Sequence, residues 1–306
     1  MKRISNFGRK LTALMLALIL VAGAFAAIPK MSVKAADSPR QTKHLLYGYS
    51  DDGVKYLVNK DTWEYDANGN IVREVNRSYS EGVLYDRTIK KTVYNADQTV
   101  KKVMHYQTYY NEDGSVNNES VSRDLYYYKD GRISYIKRTD QDGWFYNRIN
   151  YKYYDDGKIY QISERDPSDG SLYSYTRYYY KDLEDGGHRV IELEYSFDYS
   201  LNSNTTRYFD AAGNEVKTVV TGPYAALFSP GTNTTEVTYD EYSNPIYGYY
   251  VSHADGTSAR DDIKTVTTYK NIYNEDHTLN RAIMDVSLDW GGLKIESRYK
   301  HYYYWE

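Results

Sequence analysis

"YFDAAGNEVK", Tyr208 to Lys217, writes a turn that the chain has already written as "EYDANGNIVR", Glu64 to Arg73. Both run aromatic, Asp, two spacers, Gly, Asn, and then enter a charged and β-branched run. Asp, Asn and Gly supply the short polar side chain and the positive φ that tight connections need. A turn copied this closely predicts that the hairpin is the structural unit and that stacked copies make the fold.

The echoes between the two copies fall into two series. The first puts an aromatic before Asp, Asn or Lys: Tyr65-Asp66, Tyr94-Asn95, Tyr110-Asn111, Tyr128-Lys129, Tyr154-Asp155, Tyr180-Lys181, Phe209-Asp210, Tyr239-Asp240 and Tyr273-Asn274. The second lies between these, at "SEG" from Ser80, "DQDG" from Asp140, "DPSDG" from Asp166 and "HADG" from His253. The runs that separate them alternate with period two. In Ala282 to Leu288, Ala282, Met284, Val286 and Leu288 share a face; in Arg148 to Tyr153, Ile149, Tyr151 and Tyr153 do. Period two is the mark of strands packed on one side. No helical period is sustained beyond the N-terminal segment, so almost no helix is expected. The segment Thr221 to Asn233, "TGPYAALFSPGTN", breaks the rhythm and reads as a loop, or as a seam between two sheet halves.

Composition shapes the core. Leu, Ile, Val and Phe are sparse, and 39 Tyr take their place. Tyr buries a large ring while its hydroxyl stays bonded or wet. The expected fold is therefore all-β: an antiparallel meander of hairpins forming an extended, twisted or spiralling Tyr-rich sheet, solenoid-like, over one domain at 36–306.

The first 35 residues read as a secretion signal. Lys2, Arg3, Arg9 and Lys10 precede an almost wholly apolar run, Leu11 to Ile28, and Val33-Lys34-Ala35 offers a cleavage site. The competing reading is a retained membrane anchor. Cleavage would remove six basic residues and no acid, taking the formal charge from −4 to −10. An acidic secreted chain does not suit nucleic acid. Beyond the leader no apolar run is long enough for a spanning helix. With no Cys, the chain has neither disulfides nor a thiol nucleophile. The expected location is outside a bacterial cell, free or surface-bound.

"YDANGN" at Tyr65 and "FDAAGN" at Phe209 resemble YD repeats, the tyrosine–aspartate repeats of RHS-type bacterial secreted and surface proteins. "DPSDGSLYSYTRYYY" from Asp166 is similar to the second half of such a repeat. The resemblance implies an extracellular β-strip that curls or spirals, in some members into a shell around a toxin. Here the repeat spacing wanders, and no toxin-like C-terminal domain is visible. "YYNEDGS" and "YYYKDG" resemble more weakly the aromatic hairpins of cell-wall and choline-binding repeats.

Chemistry is thinly signalled. The six His, His44, His105, His188, His253, His277 and His301, lie far apart in sequence and read as scattered surface residues. There is no HExxH, GxSxG, Walker or GxGxxG motif. "DANGN" at Asp66 and "DQDG" at Asp140 faintly resemble acidic Ca²⁺ loops but lack the closing Glu, so they read as ordinary turns. Trp144 follows the Gly of "DQDG", with Tyr146 beside it, and Trp290 sits in "DWGG". Aromatics at hairpin tips are hard to bury and stack well on sugars. Trp144, Tyr146 and Trp290 are therefore the candidate ligand-stacking residues, against the alternative that each folds back over its own hairpin. No catalytic, metal or cofactor residue is expected. The leading expectation is a non-enzymatic binding or adhesion module for a glycan or cell-wall polymer. A strip that holds another polypeptide, and a glycan-active enzyme, are the alternatives.

Overall fold

The computed structural model describes residues 39–305, except 51–52, 81, 227–228, 259–261 and 291. The signal assigned to residues 1–35 lies outside the described residues.

Among the described residues eighteen strands follow one another. The first nine are β1 (Gln41–Tyr49), β2 (Lys55–Tyr65), β3 (Ile71–Ser80), β4 (Val83–Tyr94), β5 (Val100–Tyr110), β6 (Val116–Lys129), β7 (Arg132–Asp140), β8 (Phe145–Tyr153) and β9 (Ile159–Arg165). The rest are β10 (Leu172–Asp182), β11 (His188–Ser196), β12 (Leu201–Phe209), β13 (Glu215–Ala226), β14 (Ser229–Tyr239), β15 (Pro245–Ala254), β16 (Ile263–Tyr273), β17 (Leu279–Trp290) and β18 (Leu293–Trp305). No helix occurs among the described residues. Each strand pairs antiparallel with the next, and β1 also pairs with β18, Gln41 opposite Trp305, His44 opposite Tyr303 and Gly48 opposite Tyr299. The sheet is thus a closed up-and-down barrel.

This corrects the extended, solenoid-like sheet expected from the repeats. A copied turn fixes each local hairpin, and a strip and a ring use the same hairpins. What separates them is accumulated twist and curvature, which let the two end strands meet and satisfy each other's backbone groups. A second correction falls on Thr221 to Asn233. Its described residues are strand and not loop: β13 runs through to Ala226, β14 starts at Ser229, and these two residues pair. A register shift between Gly222 and Ala226 accommodates Pro223.

Register divides the side chains into two walls, because directly opposed residues point the same way. His44, Asp61, Asn76 and Thr88 follow one another across β1 to β4 on the inner wall. So do Val103, Asp124, Arg138 and Asn147 across β5 to β8. Thr267, Val286, Ser297 and Tyr299 continue it through β16 to β18. Buried on that wall are Val103, Ile136, Ile149, Thr267, Met284, Leu288, Tyr299 and His301. The outer wall carries Arg and Lys at mid-strand, interleaved with Tyr and β-branched residues. Val75 faces outward yet is buried, between Thr62 and Ile89 on the flanking strands.

The two turn series settle into two rims. Every even-to-odd connection lies at one end and every odd-to-even connection at the other. Of the aromatic–Asp/Asn/Lys series, all but Tyr110-Asn111 stand at the even-to-odd rim; all four second turns stand at the opposite one. At the first rim the copied turn is visible atom by atom. Asp66 Oδ1 accepts from the amides of Asn68 and Asn70, both at 2.9 Å, and Gly69 takes φ +86°. Asp210 does the same for Asn214 at 2.7 Å, with Gly213 at φ +80°.

The aromatic before the turn has its own task. Tyr65 donates its hydroxyl to Gln41 O at 2.8 Å, Tyr94 to Ile71 O at 3.0 Å, Tyr128 to Val100 O at 2.8 Å, Tyr153 to Ile133 O at 2.9 Å and Tyr239 to Glu215 O at 2.9 Å. Each bond runs from the end of an even strand to the start of the odd strand before it. Trp305 repeats it with its indole N–H, to Leu279 O at 2.8 Å. Phe209 has no hydroxyl and instead stacks on His188, centroids 4.5 Å apart.

Candidate functional site

The odd-to-even rim carries the candidate stacking residues. Asp140 Oδ1 binds the amides of Asp142 and Trp144, at 3.0 and 2.8 Å, which fixes the turn and leaves the Trp144 ring 71% exposed. Tyr146 follows at a register shift in β8 and is 37% exposed. Trp290 closes β17 and is 41% exposed. The structure places all three on one rim. It brings Tyr146 and Trp144 together but sets Trp290 on the far side of the ring, since β8 and β17 are separated by half the strands.

Residues that sequence reasoning missed complete this rim. Phe197 (69% exposed), Tyr199 (69%) and Tyr224 (72%) stand there, with Val54 and Val116. These five and Trp144 are the most exposed large apolar side chains among the described residues, and all six belong to the same end of the barrel. The signal was present: each lies in or beside an odd-to-even turn. Only strand parity, read around a closed ring, shows that they share an end.

Asp66 and Asp140 each spend an oxygen on backbone amides. Among the described residues, no group of three or more His, Asp or Glu is disposed to hold a metal ion.

The inner wall holds polar clusters at the ring closure and around Asp124. Asn76 donates to Asp61 at 2.6 Å, Asp61 meets His44 Nδ1 at 3.0 Å, and His44 Nε2 meets His301 Nδ1 at 3.0 Å. A carboxylate only accepts, so His44 Nδ1 donates to Asp61, and the bond between His44 Nε2 and His301 Nδ1 carries one further proton. His301 Nε2 is left buried without a partner. Burial first, and His44 second, push His301 down to about 3, so it is neutral. Two of the six His are therefore a buried pair spanning the seam and not surface residues; they come from opposite ends of the sequence. Around Asp124, Arg138 binds with both Nε and Nη2, at 2.9 and 3.2 Å, and His105 approaches to 3.4 Å. Burial alone would raise this carboxyl, but the hydrogen bonds from His105 and Arg138 outweigh it and hold it at about 2. Arg207 bridges Glu192 and Glu215. Asp124 is thus matched by Arg138, while Arg207 is shared between two acids. Burial also pushes the inner Tyr126 and Tyr178 phenols up to about 12. These groups are set as a packed, hydrogen-bonded lining.

No family model matches the chain, and no curated protein sequence matches it. Among solved structures, the chain is similar to a porin-like protein from Bacteroides uniformis, at 11% identity and a TM-score of 0.43, over 87% of this chain and 98% of that one. A porin-like protein from Bacteroides vulgatus gives 11% identity and a TM-score of 0.28, over 87% and 99%.

Proposed function

We propose that the protein is a secreted, non-catalytic binding barrel that meets a glycan or cell-wall polymer with its odd-to-even rim. The observation that carries this reading is the crowding of Trp144, Phe197, Tyr199, Tyr224, Val54 and Val116 at one end. Flat aromatic rings in water stack on sugar faces, and a ring of them offers several contacts to one polymer. The outer wall supports a barrel standing in water. An Arg or Lys facing hydrocarbon at mid-depth costs about 2–4 kcal/mol, and here Arg77, Arg87 and Arg148 face outward from mid-strand.

The test is a pull-down of residues 36–306 with intact bacterial cell walls and insoluble polysaccharides. Saturable binding that weakens with Trp144→Ala, and further with Tyr224→Ala added, is expected. Folded protein that binds none of these materials, or binds them undiminished without the rim aromatics, would sink the reading.

A further inference from the structure

The outer wall opposes like charges. Across β2, β3 and β4, Lys60 faces Arg77 and Arg77 faces Arg87. Across β7, β8 and β9, Lys137 faces Arg148 and Arg148 faces Arg165. Directly opposed like charges destabilise an antiparallel pair. The remedy used elsewhere in the molecule is missing: none of these six forms an ion pair with a carboxylate among the described residues. On the inner wall, by contrast, Lys90, Arg138 and Arg207 each have one. Other outward cations do have partners, Arg73 with Glu64, Lys217 with Glu236 and Arg298 with Asp285, while the six cations of these two rows are left over. The second row is bounded by Leu125 and Leu172, so no acid closes it on either side.

Rings hold these cations in place. Arg148 lies over Tyr135 at 4.2 Å and Lys137 over Phe145 at 4.6 Å. Their charged groups stay at the surface, and Arg148 and Arg165 are exposed. Neighbouring strands stand about 4.8 Å apart, so a row of three spans about 10 Å across the barrel wall.

We propose that the β7–β9 wall, with β2–β4 as a second strip, binds a linear polysaccharide bearing carboxylate groups. Guanidinium forks match carboxylates in two-point contact. Single-stranded nucleic acid needs free aromatic faces for its bases, and the faces of Tyr135 and Phe145 are already covered by cations. This surface is separate from the aromatic rim, and the inference stands or falls without it.

The experiment titrates residues 36–306 with polygalacturonate, with uncharged dextran and with single-stranded DNA, at low and high salt. Polygalacturonate is expected to bind, and to bind less as salt rises. The triple variant Lys137→Gln, Arg148→Gln, Arg165→Gln is expected to lose on the order of tenfold or more in affinity, and Lys270→Gln, at an exposed cation of β16 on the other side of the barrel, to lose none. Removing opposed like charges relieves repulsion, so the triple variant should melt no lower than the parent, which separates lost binding from lost folding. Three results would each overturn the proposal: no binding of polygalacturonate by the parent, equal binding by the triple variant, or DNA bound at least as tightly. An equal loss with Lys270→Gln would make the attraction a matter of overall charge and not of these rows, and overturn it too.

Discussion

A single hydroxyl explains the tyrosine at or next to the end of five even strands. At Tyr65, Tyr94, Tyr128, Tyr153 and Tyr239 the ring covers the hairpin end and the O–H satisfies a carbonyl at the start of the neighbouring strand. Removing such a donor costs about 0.5–1.5 kcal/mol. Tyr94→Phe is therefore expected to lower the unfolding free energy by about that much, read as a lower urea midpoint with an unchanged slope and an unchanged circular dichroism spectrum; an unaltered midpoint would make the bond irrelevant. Asp124 acts differently. Its carboxyl sits at about 2, below the ordinary 3.8, so it contributes stability above about pH 4 that is lost as the pH falls toward 2. The depression corresponds to about 2 kcal/mol. Asp124→Asn should be less stable than the parent at neutral pH, and the gap should close between about pH 4 and pH 2. A gap that persisted at pH 2 would point to packing and not to charge.

The hairpin is the scale at which the sequence was most legible. Its turns, its period-two runs and its want of helix follow from local chemistry, which a short window contains. The copied turn even predicts its own imperfections. The slot filled by Gly69 and Gly213 holds Gln98, Ser243 and His277 in other hairpins, at φ 67°, 61° and 65°. A non-glycine residue there costs roughly 1 kcal/mol. Gln98 bonds Asn68 and Asn70, and His277 stacks on Tyr242, so both are tied to a neighbour. Ser243 has only its turn amide. Ser243→Gly is expected to stabilise the protein by about 0.5–1 kcal/mol, read as a raised melting temperature. What this scale could not show is which turns share an end. Trp144 and Trp290 looked alike in sequence, yet they share a rim from opposite sides. Phe197, Tyr199 and Tyr224 were hidden because their grouping depends on strand parity.

Closure belongs to the whole molecule, and no local window contains it. Its mark is the His44–His301 contact, between residues at opposite ends of the described chain. His301 stays neutral to about pH 3, whereas a free His binds a proton below about 6.5. The unfolded chain thus takes up a proton first, and stability falls as the pH drops from about 6.5 toward 3. Amides of β1 and β18, corrected for intrinsic rates, are expected to exchange faster at pH 5 than at pH 7, and β10 to β12 to change less; uniform change around the ring would detach the effect from the seam. Closure also places Gln41 opposite Trp305. In an open strip of these strands the two ends would stand about 80 Å apart, at about 4.8 Å per strand gap. A linker of about six residues reaches only about 20 Å. Residues 39–305 with the ends joined by such a linker, and new termini opened at Gly82, should therefore fold only if the sheet is a ring. A β-sheet spectrum and one cooperative transition near that of the parent are expected. A permutant that aggregates or unfolds without cooperativity, while the parent opened at no turn remains folded, would return the chain to an open strip.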